Sequence, residues 1–222
     1  MRIEKPLFNI NSAVRSIFYG TKIMRKFLHV GCGYKTKSAT TRAFNTTDWT
    51  EIRFDIDESV NPDVTGTMTN MSAVETGSVD AIYSSHNIEH LYPHEVDVAL
   101  AEFHRVLTND GFVVVTCPDL QSVCRLVSED KLLEPAYTSR AGPISPIDML
   151  YGHRTAMAAG NLYMSHRSGF TQKTLVGTFR HAGFKSVAGA RREAHFDLFC
   201  LASKNEIGDE AVVNLAKEHF PS

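Results

Sequence analysis

The sequence predicts an α/β fold built on a doubly wound, mostly parallel sheet, and three observations support this prediction. Strand-like apolar runs alternate with helical patterns along the chain. The apolar run at residues 27–30 leads into Gly31-Cys32-Gly33, a turn without bulky side chains that a ligand can approach closely. A second run, residues 51–57, contains Asp55, 22 residues beyond Gly33. Doubly wound folds place a carboxylate about 20 residues after such a loop, where it binds ribose hydroxyls.

The composition is that of an ordinary globular protein. Its 222 residues are 43% hydrophobic and 22% charged, which allows one well-buried core and predicts a single domain. A net charge of −2 gives no basic bias and argues against a nucleic acid as the principal partner. The four cysteines have no Cys-x-x-Cys spacing, which predicts reduced thiols and a cytoplasmic protein. They are Cys32, Cys117, Cys124 and Cys200.

The N-terminal segment raises the question of a membrane. No apolar run in the chain approaches the roughly 18 residues that a spanning helix needs, so no transmembrane segment is predicted. Residues 7–26 mix apolar and basic side chains without a continuous apolar stretch, which argues against a signal peptide. By analogy with the fold, this segment is expected to pack on the sheet or to cover the ligand.

The elements that follow the glycine turn are predicted from short local patterns. Residues 38–44 are too few and too polar for a long first helix, so the first crossover is expected to be partly irregular. Pro and Gly punctuate residues 61–66, which indicates a loop around a short third strand. A fourth strand is predicted at residues 79–83. Polar residues 84–87 follow it, where strand carboxyl ends form the binding crevice.

A helix and a buried strand come next. Residues 93–107 begin with proline and carry apolar side chains at helical spacing, which predicts a helix packed on the sheet. Residues 109–111, Asn-Asp-Gly, indicate a sharp stop. Residues 112–116 are rich in β-branched side chains, as strands buried on both faces are. Residues 120–127 favour another helix.

Residues 128–170 interrupt this alternation. They contain three prolines and few periodic patterns, and an irregular segment of this length in a compact domain is more often functional than idle. We interpret them as a substrate lid. A helix is expected at residues 171–182, with Thr171 as its N-cap and Gly183 as its stop. Two closing strands are expected at residues 184–191 and 195–202.

Four motifs, in this order, resemble the class I S-adenosylmethionine-dependent methyltransferases. They are the loop at residues 30–33, the acid Asp55, the run 78–85 with Glu89-His90-Leu91 after it, and the run 105–116. The resemblance implies a Rossmann-like sheet with an antiparallel C-terminal hairpin, S-adenosyl-L-methionine as cofactor, and methyl transfer to an oxygen, nitrogen or carbon atom. The loop departs from the family pattern, because many members carry a third glycine where this chain has residues 34–36, Tyr-Lys-Thr.

The resemblance also assigns roles along a single domain of residues 1–222. The assigned parts are an N-terminal segment (1–26), a cofactor-binding core (27–127), the lid (128–170), and a closing helix and hairpin (171–204). Asn70 and Met71 are expected to meet the adenine, although an Asn in a turn and a core Met explain these positions equally well. The expected cofactor-binding residues are Val30, Gly31, Cys32, Gly33, Asp55, Ile56, Asn70, Met71, Ser84 and Ser85.

Three histidines are candidate catalytic bases. Methyl transfer needs mainly alignment and a dry pocket, so a base is optional. For a hydroxyl or a protonated amine, a neutral histidine can take the proton, because its ordinary pKa of about 6.5 suits work near neutrality. His86 is the first candidate because it follows the fourth strand, and His153 and His166 of the lid come second. The alternative for each is a histidine hydrogen-bonded into the structure.

Residues 86–90 spell His-x-x-Glu-His, the motif order of inverted zinc peptidases. Certain small-RNA methyltransferases of this fold hold a metal with Glu-x-x-Glu-His at this place, and His86 replaces their first Glu. A catalytic zinc site needs a third protein ligand and an open position, and the helix start at Pro93 leaves the motif on a loop. We therefore expect no metal, and a structural role for Glu89 and His90.

The acceptor and the function class are less constrained. Arg154 and Arg167 each follow a histidine in the lid and can clamp a carboxylate or phosphate, although solvated arginines are more frequent on loops. They point to a small polar or anionic acceptor, a small molecule or a glycan. A nicotinamide-dependent oxidoreductase is an alternative, disfavoured because the full G-x-G-x-x-G pattern and a Tyr-x-x-x-Lys pair are missing. A non-catalytic cofactor-binding module and a homodimer both stay open.

Overall fold

The computed structural model describes residues 24–139 and 141–221, so most of the predicted N-terminal segment lies outside the described residues. The strands are β1 (Arg25–Val30), β2 (Trp49–Asp55), β3 (Val64–Thr65), β4 (Val79–Ser85), β5 (Leu107–Pro118), β6 (Tyr137–Ser139), β7 (Gly142–Ile144), β8 (Ser186–Arg192) and β9 (Asp197–Ser203). The α-helices are α1 (Pro93–Val106), α2 (Leu120–Ser128), α3 (Pro146–Tyr151), α4 (Arg154–Ala158), α5 (Gln172–His181) and α6 (Asp209–His219).

Seven strands form one sheet in the order β3-β2-β1-β4-β5-β9-β8. The strands from β1 to β5 pair in parallel, whereas β9 pairs antiparallel with both β5 and β8. The strand order reverses between β1 and β4, which is the point where doubly wound sheets open a crevice at their carboxyl ends. The predicted α/β fold, its parallel core and its antiparallel closing hairpin are confirmed.

Each face of the sheet is covered by a separate apolar layer. On one face, Leu100 and Phe103 of α1 and Phe179 of α5 pack against the strands. On the other face, Phe44 of the first crossover packs with Val212 of α6. The crossover holds one short 3-10 turn, as its polar sequence predicted. Because it is too short to cover this face, the unpredicted helix α6 completes the layer.

Residues 128–170, the predicted lid, are more regular than the sequence indicated. They form the β6–β7 hairpin, the short helices α3 and α4 and a 3-10 turn, with Ile144 and Met149 packed on Val123 of α2. Ser145 caps α3 through a reciprocal hydrogen-bond box with Asp148, which explains order in a proline-rich segment. In the part of the chain that the structure describes, no helix is long and apolar enough to cross a membrane.

His219 gives the α6 face an acid-sensitive contact. Its ring lies 4.4 Å from that of Phe44 and 5.1 Å from that of Phe112, and its Nδ1 lies 2.9 Å from the Thr41 hydroxyl. Burial, aided by the charge of Arg25, lowers the pKa of His219 to about 4. Between about pH 6.5 and pH 4 the unfolded chain therefore takes up a proton that the folded chain does not, so stability is lost as the pH falls.

We expect His219→Phe to remove this loss. The pKa difference between the unfolded and folded states is worth about 3 kcal/mol, since each pKa unit corresponds to about 1.4 kcal/mol. Urea unfolding at about pH 7.5 and pH 4 measures it: the wild type should lose about 3 kcal/mol more unfolding free energy than His219→Phe. His181→Gln, at the exposed end of α5, should behave like the wild type. Parallel pH dependences for His219→Phe and the wild type would contradict the prediction.

Candidate functional site

The glycine turn after β1 is fastened to the end of β2 by a carboxylate. Gly31 and Gly33 both have positive φ angles, 63° and 53°, which glycine adopts without strain. Asp55 is 8% exposed, and its Oδ2 accepts a hydrogen bond of 2.7 Å from the Gly33 amide. Its Oδ1 accepts one of 3.0 Å from the Asp57 amide. Each carboxylate oxygen keeps a second lone pair, so Asp55 can shape the turn and still accept from a ligand hydroxyl.

Asn87 packs directly on the same turn. Its Nδ2 donates to the carbonyls of Val30 at 3.0 Å and Ser85 at 3.1 Å, and to the Ser84 hydroxyl at 3.2 Å. A Cβ atom on Gly31 would lie 2.1 Å from Asn87 Oδ1, a distance that no real contact allows. Gly31 is therefore required both by its φ angle and by the space that Asn87 occupies.

Arg53 is a supporting residue that the sequence analysis missed. Its guanidinium donates to the carbonyls of Gly33, Lys35, Val60 and Asn61, so it joins the glycine turn to the loop after β2. The planar guanidinium has five donors in a fixed fork, a geometry that suits several carbonyls at once. Arg53 precedes the buried end of β2, and nothing in the local sequence indicated this role. The four carbonyls that it binds come together only in the folded chain.

The glycine turn and the strand ends enclose a cavity of about 420 Å³, which we call the glycine-loop cavity. Seven predicted cofactor-binding residues line it: Val30, Gly31, Cys32, Gly33, Asp55, Ile56 and Ser85. Burial raises the pKa of the Cys32 thiol to about 11, so this side chain stays neutral and serves as a wall rather than a nucleophile.

Three other predicted residues do not line this cavity. Met71 is fully buried in the core, and Asn70 lies on a separate hollow beside α1. The cavity instead meets Thr67 and Met68, which follow the end of β3 directly. Asn70 and Met71 lie several residues beyond the end of β3 and outside this cavity, and their contact with the adenine stays a prediction. Ser84 is also buried, and its hydroxyl accepts a hydrogen bond from Asn87 Nδ2.

A second cavity of about 400 Å³ adjoins the first and is lined by five histidines, so we call it the histidine cavity. The histidines are His86, His90, His153, His166 and His195. The lid supplies most of the remaining wall, with Tyr137, Ile144 and Met149. His86, His90 and Met164 line both cavities, so the two spaces meet at these side chains.

All three predicted catalytic histidines line the histidine cavity, but only His86 among them also lines the glycine-loop cavity. His86 has a φ angle of 57°, a left-handed backbone conformation that is uncommon for residues other than glycine and clusters at functional sites. Its side chain is 48% exposed, and its Nδ1 lies 3.4 Å from Glu89 Oε1. His153 precedes α4, and His166 follows the 3-10 turn of the lid.

Glu89 is the least expected charge in this region. It is 1% exposed, and within the described part of the chain neither of its carboxylate oxygens has a hydrogen-bond partner. Burial raises the pKa of the Glu89 carboxyl. The nearby His86, His90 and His166 lower this pKa by more, so its net shift is downward. Burial lowers the pKa of His166, which favours a neutral ring. The geometry thus places a buried carboxylate among imidazoles.

The two arginines predicted to bind an anion, Arg154 and Arg167, already contact other groups of the protein. Arg154 binds Asp148 through its Nε at 2.7 Å and its Nη2 at 3.1 Å, and this pairing holds the pKa of Asp148 well below its usual range. Arg167 donates to the His90 carbonyl at 3.1 Å and stacks over the Tyr92 ring at 4.9 Å. The predicted clamp of Arg154 and Arg167 on an anion is therefore not assembled, because Arg154 pairs within the lid and Arg167 contacts residues 90–92.

Comparisons with known proteins agree with this geometry. A family model described as a methyltransferase domain matches residues 28–115. The 1,6-didemethyltoxoflavin-N1-methyltransferase of Burkholderia thailandensis, solved with S-adenosylhomocysteine, is 16% identical, with 82% of this chain and 71% of that chain covered and a TM-score of 0.52. No curated protein matches the sequence significantly.

Two further solved structures share the fold. An O-methyltransferase family protein from Burkholderia thailandensis is 11% identical, with 83% of this chain and 52% of that chain covered and a TM-score of 0.52. The CurJ carbon methyltransferase is 12% identical, with 83% and 50% covered and a TM-score of 0.55. This chain spans about half the length of both.

The three structures are named for methyl transfer to nitrogen, oxygen and carbon, so the shared fold leaves the acceptor atom open. The family match is more specific, because residues 28–115 include the glycine turn, Asp55, and the strands β4 and β5 that frame the crevice. Residues 28–115 are therefore similar to the methyltransferase-domain family, within a chain that has the fold of S-adenosylmethionine-dependent methyltransferases.

Proposed function

We propose that this enzyme transfers a methyl group from S-adenosylmethionine, bound in the glycine-loop cavity, to an oxygen or nitrogen atom of a small, uncharged polar acceptor in the histidine cavity. The proposal rests on one observation, which is that the two cavities have lining residues in common. Cofactor and acceptor must meet within contact distance for transfer, and His86, His90 and Met164 are common to the two cavities. The lid closes the histidine cavity from the other side.

The glycine-loop cavity fits the cofactor. The Asp55 carboxylate has lone pairs left for the ribose hydroxyls, and the turn at Gly31 and Gly33 leaves space that a Cβ atom at Gly33 would enter without meeting another atom. Ile56 and Met68 supply apolar walls for a flat base. When bound, the cofactor supplies an electrophilic methyl group on a sulfonium. The protein's part is to orient it and to exclude water.

The charges of the histidine cavity favour an uncharged acceptor. Its cationic side chain, Arg192, is paired with Asp197, and the nearby Arg154 is paired with Asp148. An anion would have to break one of these pairs. The Tyr137 and Phe196 rings stack at 6.1 Å and give the cavity a flat apolar side, while the histidines supply hydrogen bonds. A small aromatic or sugar-like hydroxyl or amine compound suits this combination.

We propose His86 as the general base. The Glu89 carboxylate lies on the Nδ1 side of its ring, which leaves Nε2 available for a proton from the acceptor. The ring is half exposed, so a proton taken from the acceptor can pass on to solvent. His153 and His166 line the histidine cavity alone, and for that reason we assign them to the acceptor rather than to the methyl group.

Calorimetric titration with S-adenosylmethionine, S-adenosylhomocysteine and NADH tests the cofactor assignment. We expect the two sulfur ligands alone to bind, with affinities on the order of micromolar. Asp55→Asn should weaken this binding tenfold or more, because asparagine has a single side-chain oxygen and its nitrogen only donates. Asp80→Asn is the matched control: Asp80 also accepts from a backbone amide, that of Lys26 at 2.8 Å, but at the opposite end of the strands. Binding of NADH, or of none of the three, would overturn the proposal.

A further inference from the structure

One group of donor atoms lies where the two cavities meet. Glu89, His90 and His166 each offer one metal-ligating atom, and these atoms lie within 4.8 Å of one another. All three residues line the histidine cavity, and His90 also lines the glycine-loop cavity. A tetrahedral ion with bonds of about 2.0–2.2 Å has donors roughly 3.4 Å apart, so shifts of about an ångström in these side chains would close the group around one ion.

The Glu89 carboxylate indicates that a cation belongs here. Both of its oxygens are buried, and among the described residues neither accepts a hydrogen bond. His86 Nδ1 lies 3.4 Å from Glu89 Oε1. A buried carboxylate without partners costs several kcal/mol, and buried charges in proteins are usually paired or bound to metals. Glu89 faces imidazoles and no lysine or arginine within ion-pairing distance in the described chain, which makes a metal the partner that its surroundings favour.

The two histidines present their lone pairs in the form that a metal requires. His90 Nδ1 lies 3.0 Å from the Ser165 carbonyl oxygen, and His166 Nδ1 lies 2.8 Å from the Met149 carbonyl oxygen. A carbonyl only accepts, so each Nδ1 carries the hydrogen and donates it. Each Nε2 then has a free lone pair. Metal-binding histidines are commonly held in this way by a second hydrogen bond on the other ring nitrogen.

Backbone hydrogen bonds hold the segment around His166 beside Glu89 and His90. The amides of Arg167 and Ser168 donate to the Glu89 carbonyl at 2.8 and 3.1 Å. Together with the bond from His90 to the Ser165 carbonyl, they join the lid segment around His166 to the 3-10 turn Ile88–His90. The donor group is thus built by the fold, since none of these contacts depends on a bound ion.

We infer that Glu89, His90 and His166 bind one divalent transition-metal ion of the zinc class. Two imidazole nitrogens and one carboxylate suit zinc or cobalt, whereas magnesium and calcium prefer oxygen ligands throughout. Three protein ligands leave at least one coordination position open, as in catalytic rather than structural zinc sites. The histidine cavity adjoins all three. Resting on the function proposed above, the open position would hold an oxygen of the acceptor.

Metal titration of chelator-treated full-length protein tests this inference. Zinc is followed by calorimetry and cobalt by its visible ligand-field absorption, each without cofactor or acceptor. We expect one ion per chain at on the order of micromolar affinity or tighter, no binding of magnesium, and at least about hundredfold weaker zinc binding by Glu89→Gln and His166→Gln. His195→Gln, from the same cavity but outside the donor group, should bind zinc like the wild type.

Thermal unfolding separates a lost ligand from a lost fold. Zinc should raise the Tm of the wild type and not that of Glu89→Gln. Without metal, Glu89→Gln should still unfold cooperatively, because glutamine fills the space of the glutamate, so that lost zinc binding is distinguished from a lost fold. Undiminished zinc binding by Glu89→Gln or His166→Gln, equal loss in His195→Gln, or no zinc binding by folded wild type would overturn the inference. Cofactor titration of the same samples reports separately on the proposed function.

Discussion

His86→Gln is expected to slow methyl transfer to an oxygen or nitrogen acceptor by about 10² to 10⁴, the usual contribution of a general base. Glutamine keeps the size and hydrogen-bonding capacity of the side chain but cannot take a proton at neutral pH. His86 lines both cavities, with the Glu89 carboxylate 3.4 Å from Nδ1, so its Nε2 is the nitrogen available to the acceptor. Formation of S-adenosylhomocysteine with a panel of small hydroxyl and amine compounds gives kcat and KM.

The split between kcat and KM decides whether His86 is a base or a positioning residue. We expect the loss in kcat, with the cofactor Kd changed by less than about threefold, since a base acts only in the transition state. His153→Gln provides the comparison, because His153 lines the histidine cavity alone and should affect KM more than kcat. A raised KM with wild-type kcat in His86→Gln would assign the residue to acceptor binding instead.

The sequence predicted the cofactor half of the site because its signals are local. A strand, a glycine turn and an acid at a fixed spacing are properties of a short stretch of chain, and parallel pairing of β1 with β2 then brings Asp55 beside Gly33. Local patterns did not show which residues after β3 line the crevice, because this depends on the residue at which the strand ends. β3 ends at Thr65, so Thr67 and Met68 line the crevice, whereas Met71 has already entered the core.

The histidine cavity could not be predicted in the same way. His-x-x-Glu-His is visible in the sequence, but its third partner, His166, comes from the lid and reaches Glu89 through backbone contacts of residues 165–168. Arg154 shows the opposite case: a side chain that looked free to bind an anion is held by Asp148, whose position depends on the capping of α3. Pairings between distant segments carry no local signal.

Gly31→Ala is expected to weaken cofactor binding by roughly a few hundredfold. The new Cβ would lie 2.1 Å from Asn87 Oδ1, so Asn87 would have to give up the hydrogen bonds of its two N–H donors, which are worth about 1 kcal/mol each. The φ angle of 63° adds about 1 to 2 kcal/mol for a residue other than glycine. Together these amount to about 3 to 4 kcal/mol that favours a displaced turn in the free variant. Cofactor binding must restore the turn at that cost, and each 1.4 kcal/mol is tenfold in Kd.

A double-mutant cycle shows whether the contact with Asn87 causes the loss of cofactor affinity in Gly31→Ala. Asn87→Ala alone loses the same hydrogen bonds, about 2 kcal/mol, so the double variant with Gly31→Ala should lose about 3 to 4 kcal/mol rather than the sum of both. Calorimetric Kd values for S-adenosylmethionine give the coupling. Gly177→Ala, in α5 with no atom within 4 Å of the new Cβ, should leave the Kd unchanged. Additive losses would mean that the turn fails for a reason other than its contact with Asn87.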